Sequence, residues 1–382
     1  MSTLHQVLLP LVQNYLSNAQ KYCCLPFNWD SEQGKIVRSG RETRSLVIFG
    51  IIVHFIYVTM QIVVLWRKPF PLIEKLEGVV IMFVYLAMLV FRMDFKADYG
   101  PMILLNMILA GESEKSGLIK INKTFLKCLK IFGQLSHLVT YLFPIFITII
   151  GLIFPCKPPL LGSMVNKLDD NCDLYYYNSF CLSMKTVMIA ILEFLIAKQG
   201  TICGLHYAIY CLLIAIVYLT VKSNNLNGGK GAVLSFREVQ VLEKVVNDNI
   251  RDRLLPVTIC VIPVVQIFAG FVIVKLEGEG KEWLKVGMFA LVYSEVLVFN
   301  LVSVSSAAVV HNVTGRWLEG RRSRLARFWG IRGCGKKTMR RYWKSCLALR
   351  LYFWSNYVDR LTPLIVQQFC VVQTMSLILL SR

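Results

Sequence analysis

Seven runs of about twenty apolar residues decide what this chain can fold into, because a helix of that length spans a hydrocarbon core of roughly 30 Å. They run from Ser45 to Trp66, Leu76 to Phe95, Gln134 to Phe154, Thr201 to Val221, Leu254 to Val274, Val286 to Val310 and Leu361 to Leu380. The fourth carries no charge, and the second is the weakest, with Arg92 expected to snorkel from its end to the interface. The prediction is an all-α polytopic membrane protein with seven transmembrane helices. With 55% hydrophobic and only 17% charged residues, bilayer rather than water is the expected solvent.

The formal charge of +19 would suggest nucleic acid on a soluble protein, so its placement matters. Most of the 42 Lys and Arg fall before span one and between spans two and three, four and five, and six and seven. The positive-inside rule then puts the N-terminus in the cytoplasm and the C-terminus outside, with no nucleic-acid partner. An eighth candidate, Val187 to Ala197, holds Glu193 between Lys185 and Lys198 and reads as a helix reaching above the membrane. Counting it as a span would move the thirteen basic residues of 311–360 outside. No cleavable signal is visible, since the run Val7 to Val12 lacks basic residues before it. The organisation is a cytoplasmic segment over 1–44 and a seven-span domain over 45–380, with cytoplasmic helical extensions over 222–253 and 311–360.

Ser235-Phe-Arg-Glu238 reads as a capping box opening a helix whose Val239, Leu242, Val246 and Ile250 share one face, running straight into span five. Trp343, Leu347 and Leu351 give the last inner loop a similar apolar side. Such faces need cover, from another subunit, a cytoplasmic base or anionic lipid. Outside, Cys156, Cys172 and Cys181 allow one disulfide and leave one thiol over. Cys23 and Cys24, inside, are candidates for palmitoylation or for burial.

Searches for catalytic chemistry leave no enzyme and no cofactor. Gly330-Ile-Arg-Gly-Cys-Gly335-Lys336-Lys337 approaches a phosphate-binding loop but puts Lys337 where a hydroxyl is needed, and reads as a basic turn. The five His are scattered and the Cys form no CxxC pair, so no metal site is predicted. Glu295, about nine residues and roughly 14 Å into span six, is the intramembrane charge of most interest, followed by Asn300, Ser303, Ser305 and Ser306. It reads equally as the polar wall of a ligand cavity or as an interhelical hydrogen bond. Tyr85, His137, Tyr141 and His206 are further pocket candidates, each also explicable as helix packing.

Seven spans, an inner N-terminus, a long basic loop before the last span and a very short tail resemble the insect gustatory and odorant receptor superfamily. Leu25-Pro-Phe-Asn-Trp29-Asp30 before span one is similar to the segment gustatory receptors carry there. Gustatory receptors end in Thr-Tyr, five apolar residues and Gln-Phe. Here Thr374 and most of the apolar run match, while Met375, Ser376, Ser381 and Arg382 depart. The resemblance implies a taste receptor: a ligand-gated, non-selective cation channel for small-molecule tastants in the plasma membrane of gustatory sensory neurons. It implies a homo- or heterotetramer with other gustatory receptors, and a central pore lined by the last helix through Thr374, Ile378 and Arg382, with Ile378 as the constriction. An odorant receptor is the near alternative. A G-protein-coupled receptor is disfavoured because Arg251-Asp252-Arg253 enters span five rather than leaving span three, and a transporter because no internal repeat is visible.

Overall fold

The computed structural model describes residues 4–93, 99–114, 123–154, 157–165, 184–226, 232–279, 283–327 and 334–381. Cys156, Cys172 and Cys181, Gly330 to Gly333 of the glycine-rich turn, and Arg382 lie outside the described residues. Helices dominate: α1 (Leu4–Lys21), α2 (Arg41–Arg67), α3 (Leu72–Arg92), α4 (Tyr99–Glu114), α5 (Lys123–Ile153), α6 (Leu161–Val165), α7 (Met184–Asn224), α8 (Ala232–Ile250), α9 (Leu254–Glu277), α10 (Trp283–Arg327), α11 (Cys334–Ser345) and α12 (Thr362–Leu380). Six of these, α2, α5, α7, α9, α10 and α12, are long and apolar enough to cross a membrane. The seventh span is α3, which is long enough but carries Glu74, Lys75, Glu77 and Arg92. This is a multi-pass membrane architecture, as the apolar runs predict.

Two helices far exceed the bilayer. At 1.5 Å per residue, α7 and α10 extend about 60 and 65 Å, twice a hydrocarbon core. This corrects the reading of span four. Val187 to Ala197 is no separate helix above the membrane but the first half of α7, where Glu193 meets Tyr57 of α2 and Gly200 meets His54. The half level with α2 is therefore Met184 to Leu205. The charge-free stretch to Val221 continues beyond it into the far end of the bundle, here called the base. It is apolar because protein surrounds it, with almost every side chain from Thr201 to Val221 buried.

Small residues set the spacing of these helices. A methyl group at Gly204 would lie 3.0 Å from Met88 Cγ, and one at Gly200 3.2 Å from both Met88 Sδ and His54 Cε1. Glycines four apart thus let α7 approach α2 and α3 closely. Arg92 does not snorkel as expected: it is buried, with Nη1 donating to the Gly50 carbonyl at 3.3 Å. Its neighbours leave no path to the interface, because Gly50 sits directly against the guanidinium.

The base is built by α1, α4, α8, α11 and the ends of α7 and α10. Helix α8 starts at Ala232, so Ser235 lies within its first turn and does not cap it. Val239, Leu242, Val246 and Ile250 are buried as their spacing predicts. The helix then breaks at Arg251–Arg253 instead of running into α9. Phe236 of α8 stacks on Trp317 of α10 at 5.4 Å, and Trp343 of α11 meets both edge-on. Leu351 is likewise buried while Leu347 stays exposed, so most of the amphipathic surface is covered within one chain. Asn247 Nδ2 donates to the Arg350 carbonyl and its Oδ1 accepts from the Tyr352 amide, aligning the hairpin of β3 (Tyr352–Phe353) and β4 (Asn356–Tyr357) beside α8. Glu243 accepts from the Arg350 amide, and burial raises its carboxyl above the ordinary value.

The N-terminal segment is part of the core. The motif around Trp29 forms β1 (Phe27–Asp30), paired antiparallel with β2 (Lys35–Arg38) through a turn in which Gly34 takes φ +60°. Asn106 of α4 donates to the Ile36 carbonyl and accepts from the Ile36 amide, both at 2.8 Å, acting as a strand edge. Tyr15 of α1 donates to the Ile202 carbonyl of α7. Cys24 is buried, its carbonyl accepting from the Cys203 thiol, and Cys23 is half-buried.

At the opposite end of the bundle, Lys285 of α10 and Glu77 of α3 pair at 3.0 Å, both buried. Removing one partner of a buried pair strands the other charge, typically at a cost of about 3–5 kcal/mol. Lys285→Met or Glu77→Leu alone should lower the thermal unfolding midpoint in detergent sharply, and the double variant should recover most of the loss. A single variant that melts like the parent would show that the pair does not hold α3 to α10.

Candidate ligand cavity and pore helix

A cavity of about 110 Å³ lies where α3, α5, α7, α9 and α10 converge. Met88, Phe91, Phe143, Ala208, Val265 and Phe299 are among its sixteen lining residues, of which only Thr201 and Glu295 are polar. Two irregularities border it. In α7 the backbone widens to π-helix over His206–Leu213, and in α9 over Val257–Val261, just before the lining Ile262. Pro263 explains the second: it cannot donate to the carbonyl of Ile259 four residues back, and the wider turn absorbs that mismatch. The first has no proline, and no local sequence signal accounts for it.

The five pocket candidates separate. Glu295 lines the cavity, and its carboxylate accepts from the Ser136 hydroxyl of α5. Tyr85 is fully buried against His54, Tyr57 and Phe143 and does not line it. His137 and Tyr141 border a different, open groove of about 410 Å³ between α5 and α1, with Leu11 and Asn14. There the Asn18 amide lies 3.0 Å from His137 Nε2. His206 is in the base, stacked between Tyr15, Phe27 and Tyr210. Asn300, Ser303 and Ser306 are buried along α10 towards the base.

Besides Glu77 and Lys285, three buried charges escaped the sequence reading as internal groups. Glu193 accepts from Tyr57 at 2.7 Å and from the Leu161 amide at 3.4 Å. Lys198 donates to the Thr140 carbonyl at 2.8 Å, with its ammonium 3.3 Å from the centre of the Tyr141 ring. The third is Arg92. The available signal for the first two was the unbroken helical run from Met184 into span four, which leaves Glu193 and Lys198 no route out of the bundle.

Helix α12 stands at the edge of the bundle with most of its surface exposed. Asp359 opens it, accepting from the Leu361 and Thr362 amides, and the bond from the Thr362 hydroxyl holds its carboxyl below the ordinary value. Its inner face meets α9: Cys370 faces the Pro263 carbonyl, Gln266 Nε2 donates to Gln367 Oε1 at 3.0 Å, and Thr374 reaches the Ile267 carbonyl at 3.4 Å. Thr374 also sits over Gly270, and Ile378 is partly buried in the core. The face expected to line a pore is therefore turned towards α9 of the same chain. Ile365, Gln368, Val372, Met375 and Leu379, spaced by three and four on the opposite side, are exposed.

No protein-family model and no curated protein sequence matches the chain. Among solved structures it is similar to the insect olfactory receptor OR5 from Machilis hrabei, with a TM-score of 0.63 over 98% of both chains at 12% identity. It is also similar to that receptor in complex with eugenol, with a TM-score of 0.57 over 97% of both chains at the same identity. Along its whole length the chain has the fold of an insect olfactory receptor.

Proposed function

We propose that this protein is an insect chemoreceptor, a ligand-gated non-selective cation channel subunit of the gustatory branch that detects small-molecule tastants. The observation that carries the reading is the position of α9: one side lines the cavity through Ile262 and Val265, and the other holds the pore helix through Pro263, Gln266 and Ile267. A ligand in the cavity can act on α12 through a single intervening helix. The whole-chain likeness to an olfactory receptor solved with eugenol supports the same assignment. The terminal Thr374 run and the basic loop before the last span favour taste over smell. Four subunits, homomeric or mixed with other gustatory receptors, surround one pore in the plasma membrane of gustatory sensory neurons.

In that assembly residues 1–44 and the extensions over 222–253 and 311–360 form a cytoplasmic base, and the seven spans occupy 45–380. A cysteine at exposed Val241 of α8 should resist a membrane-impermeant thiol reagent until cells are permeabilised. Labelling above the parent's background in intact cells would reverse the orientation.

The pore follows the free face of α12. Met375 and Leu379 replace Ile378 as the apolar constriction, a ring of such side chains closing a narrow channel by dewetting. Leu379→Ala and Met375→Ala should conduct without ligand, whereas Ile378→Ala should lose expression or ligand response first. Surface-expressed Leu379 and Met375 variants that gate like the parent, beside a leaking Ile378→Ala, would return the pore to the Thr374 face.

A further inference from the structure

We infer that the groove between α1 and α5 binds an anionic phospholipid, with the headgroup at Lys127 and Lys130 and the acyl chains along the exposed side of α5. The groove is open, has a volume of about 410 Å³ and shares no lining residue with the ligand cavity. The pore helix packs on α9 and α10, so a tetramer assembled around α12 leaves the α1 and α5 side to the lipid.

The residues of the groove are layered as a phospholipid is. On α5, Lys127, Lys130, Gln134, His137 and Tyr141 are spaced by three and four and form one stripe. Lys127 and Lys130 are exposed at its base end, with Lys130 about 16 Å along the helix from Tyr141. Helix α1 runs beside the stripe in the same direction, since Leu11 meets Gly133 and Asn18 meets His137. The exposed amides of Asn14 and Gln134 therefore follow the lysines, at the level of the ester groups of a lipid whose phosphate the lysines hold. Tyr141 comes next, with an amphipathic ring suited to the membrane interface. Exposed Leu138 and Ile145 continue the same side of α5 into the span.

Charge decides the class of lipid. Neither α1 nor α5 contains an acidic residue, so neither wall repels an anion. Basic pockets between spanning helices hold anionic headgroups, and in the orientation proposed above this one opens on the cytoplasmic leaflet, where such lipids concentrate. A soluble phosphate would use the lysines and leave the apolar part of the groove uncovered, whereas a lipid covers both.

Protein purified in detergent with dioleoylphosphatidylserine or dioleoylphosphatidylcholine at equal mole fraction tests this, with retained lipid counted by native mass spectrometry. The chains are identical, so only the headgroups differ. Phosphatidylserine should be retained about tenfold more tightly. Lys127→Glu combined with Lys130→Glu should erase that preference. Lys244→Glu combined with Arg324→Glu should leave it, because these exposed cations sit on α8 and α10, which do not wall the groove. Asn14→Trp, which fills the groove, should release both lipids. Equal retention of the two lipids would overturn the anionic class. Retention that Asn14→Trp does not change, or a preference lost equally in the Lys244 and Arg324 variant, would overturn the site. Glycerophosphoserine, the headgroup without chains, should not displace the lipid at equal concentration; displacement would make this a site for a soluble phosphate. If the double lysine variant does not fold, Lys130→Gln decides, since an unchanged preference there refutes the headgroup assignment. Retention is read without current or sidedness, so its failure leaves the channel reading and the orientation standing.

Discussion

The burial of α7 is the constraint on which the rest of the structure depends. From Thr201 to Val221 almost no side chain of this helix is free, so α1, α3, α4, α5, α8, α9 and α10 are placed by what they must cover. In lipid such cover would give little driving force, since hydrocarbon tails solvate leucine as well as protein does. In the base, water is the alternative solvent, and burying this apolar surface is worth roughly 25 cal/mol per Å². The hydrophobic effect therefore assembles the base, while close approach at Gly200 and Gly204 and internal polar contacts arrange the spans above it. The N-terminal segment belongs to the first part: Tyr15 and Phe27 close around His206, and without them the lower half of α7 would be open on that side.

Charges inside the spans fix how the helices face one another. Lys285 with Glu77, Tyr57 with Glu193, and Lys198 with Thr140 each join two different helices. A helix rotated by one residue would turn its charge by about 100° towards lipid or an apolar neighbour, which is far costlier than a misplaced leucine. Glu295 fits the same pattern, its carboxylate accepting from the Ser136 hydroxyl and so joining α10 to α5.

Much of this was legible in the sequence. Seven apolar runs gave seven spans, and the periodicity from Val239 to Ile250 located a buried face on α8. What hydropathy could not separate is burial in lipid from burial in protein. It therefore took Thr201 to Val221, a run without charge, for the crossing, and took Glu193 and Lys198 for groups above the membrane. The hairpin around Trp29 was invisible for another reason: its strands are four residues long and gain their edge partner from Asn106, seventy residues after Ile36. For the candidate site, Glu295 was identifiable because a lone carboxylate in a span is conspicuous. Tyr85, His137, Tyr141 and His206 were not separable, since the aromatic groups look alike in sequence and only packing distributes them among core, groove and base. The inward turn of Thr374 and Ile378 escaped for a related reason. Helical spacing tells which residues share a face but not which face meets α9.

In the channel proposed above, the arrangement of α9 constrains how a ligand acts on the pore helix. A bound molecule shifts a closed-to-open equilibrium only by the difference between its affinities for the two states. Filling 110 Å³ equally well in both would stabilise the protein and gate nothing. The difference has to come from a wall that moves, and α9 is the suitable wall: its π segment and Pro263 interrupt regular hydrogen bonding directly beside the lining Ile262. Past the end of α12 the Lys275 ammonium of α9 donates to the Ser381 carbonyl at 3.0 Å, while along the helix the contacts to α9 are a glutamine pair, a thiol and a hydroxyl on carbonyls, and a glycine under Thr374. Such contacts are weak singly and can be exchanged for neighbours one position along the helix. A slide or rotation of α12 on α9 then costs little in burial and, in the proposed tetramer, would turn Met375 and Leu379 away from the central axis. The strong pairs of the bundle join α3 to α10, α2 to α7 and α5 to α7, so in the proposed channel the α9 to α12 seam is where ligand binding would be converted into motion.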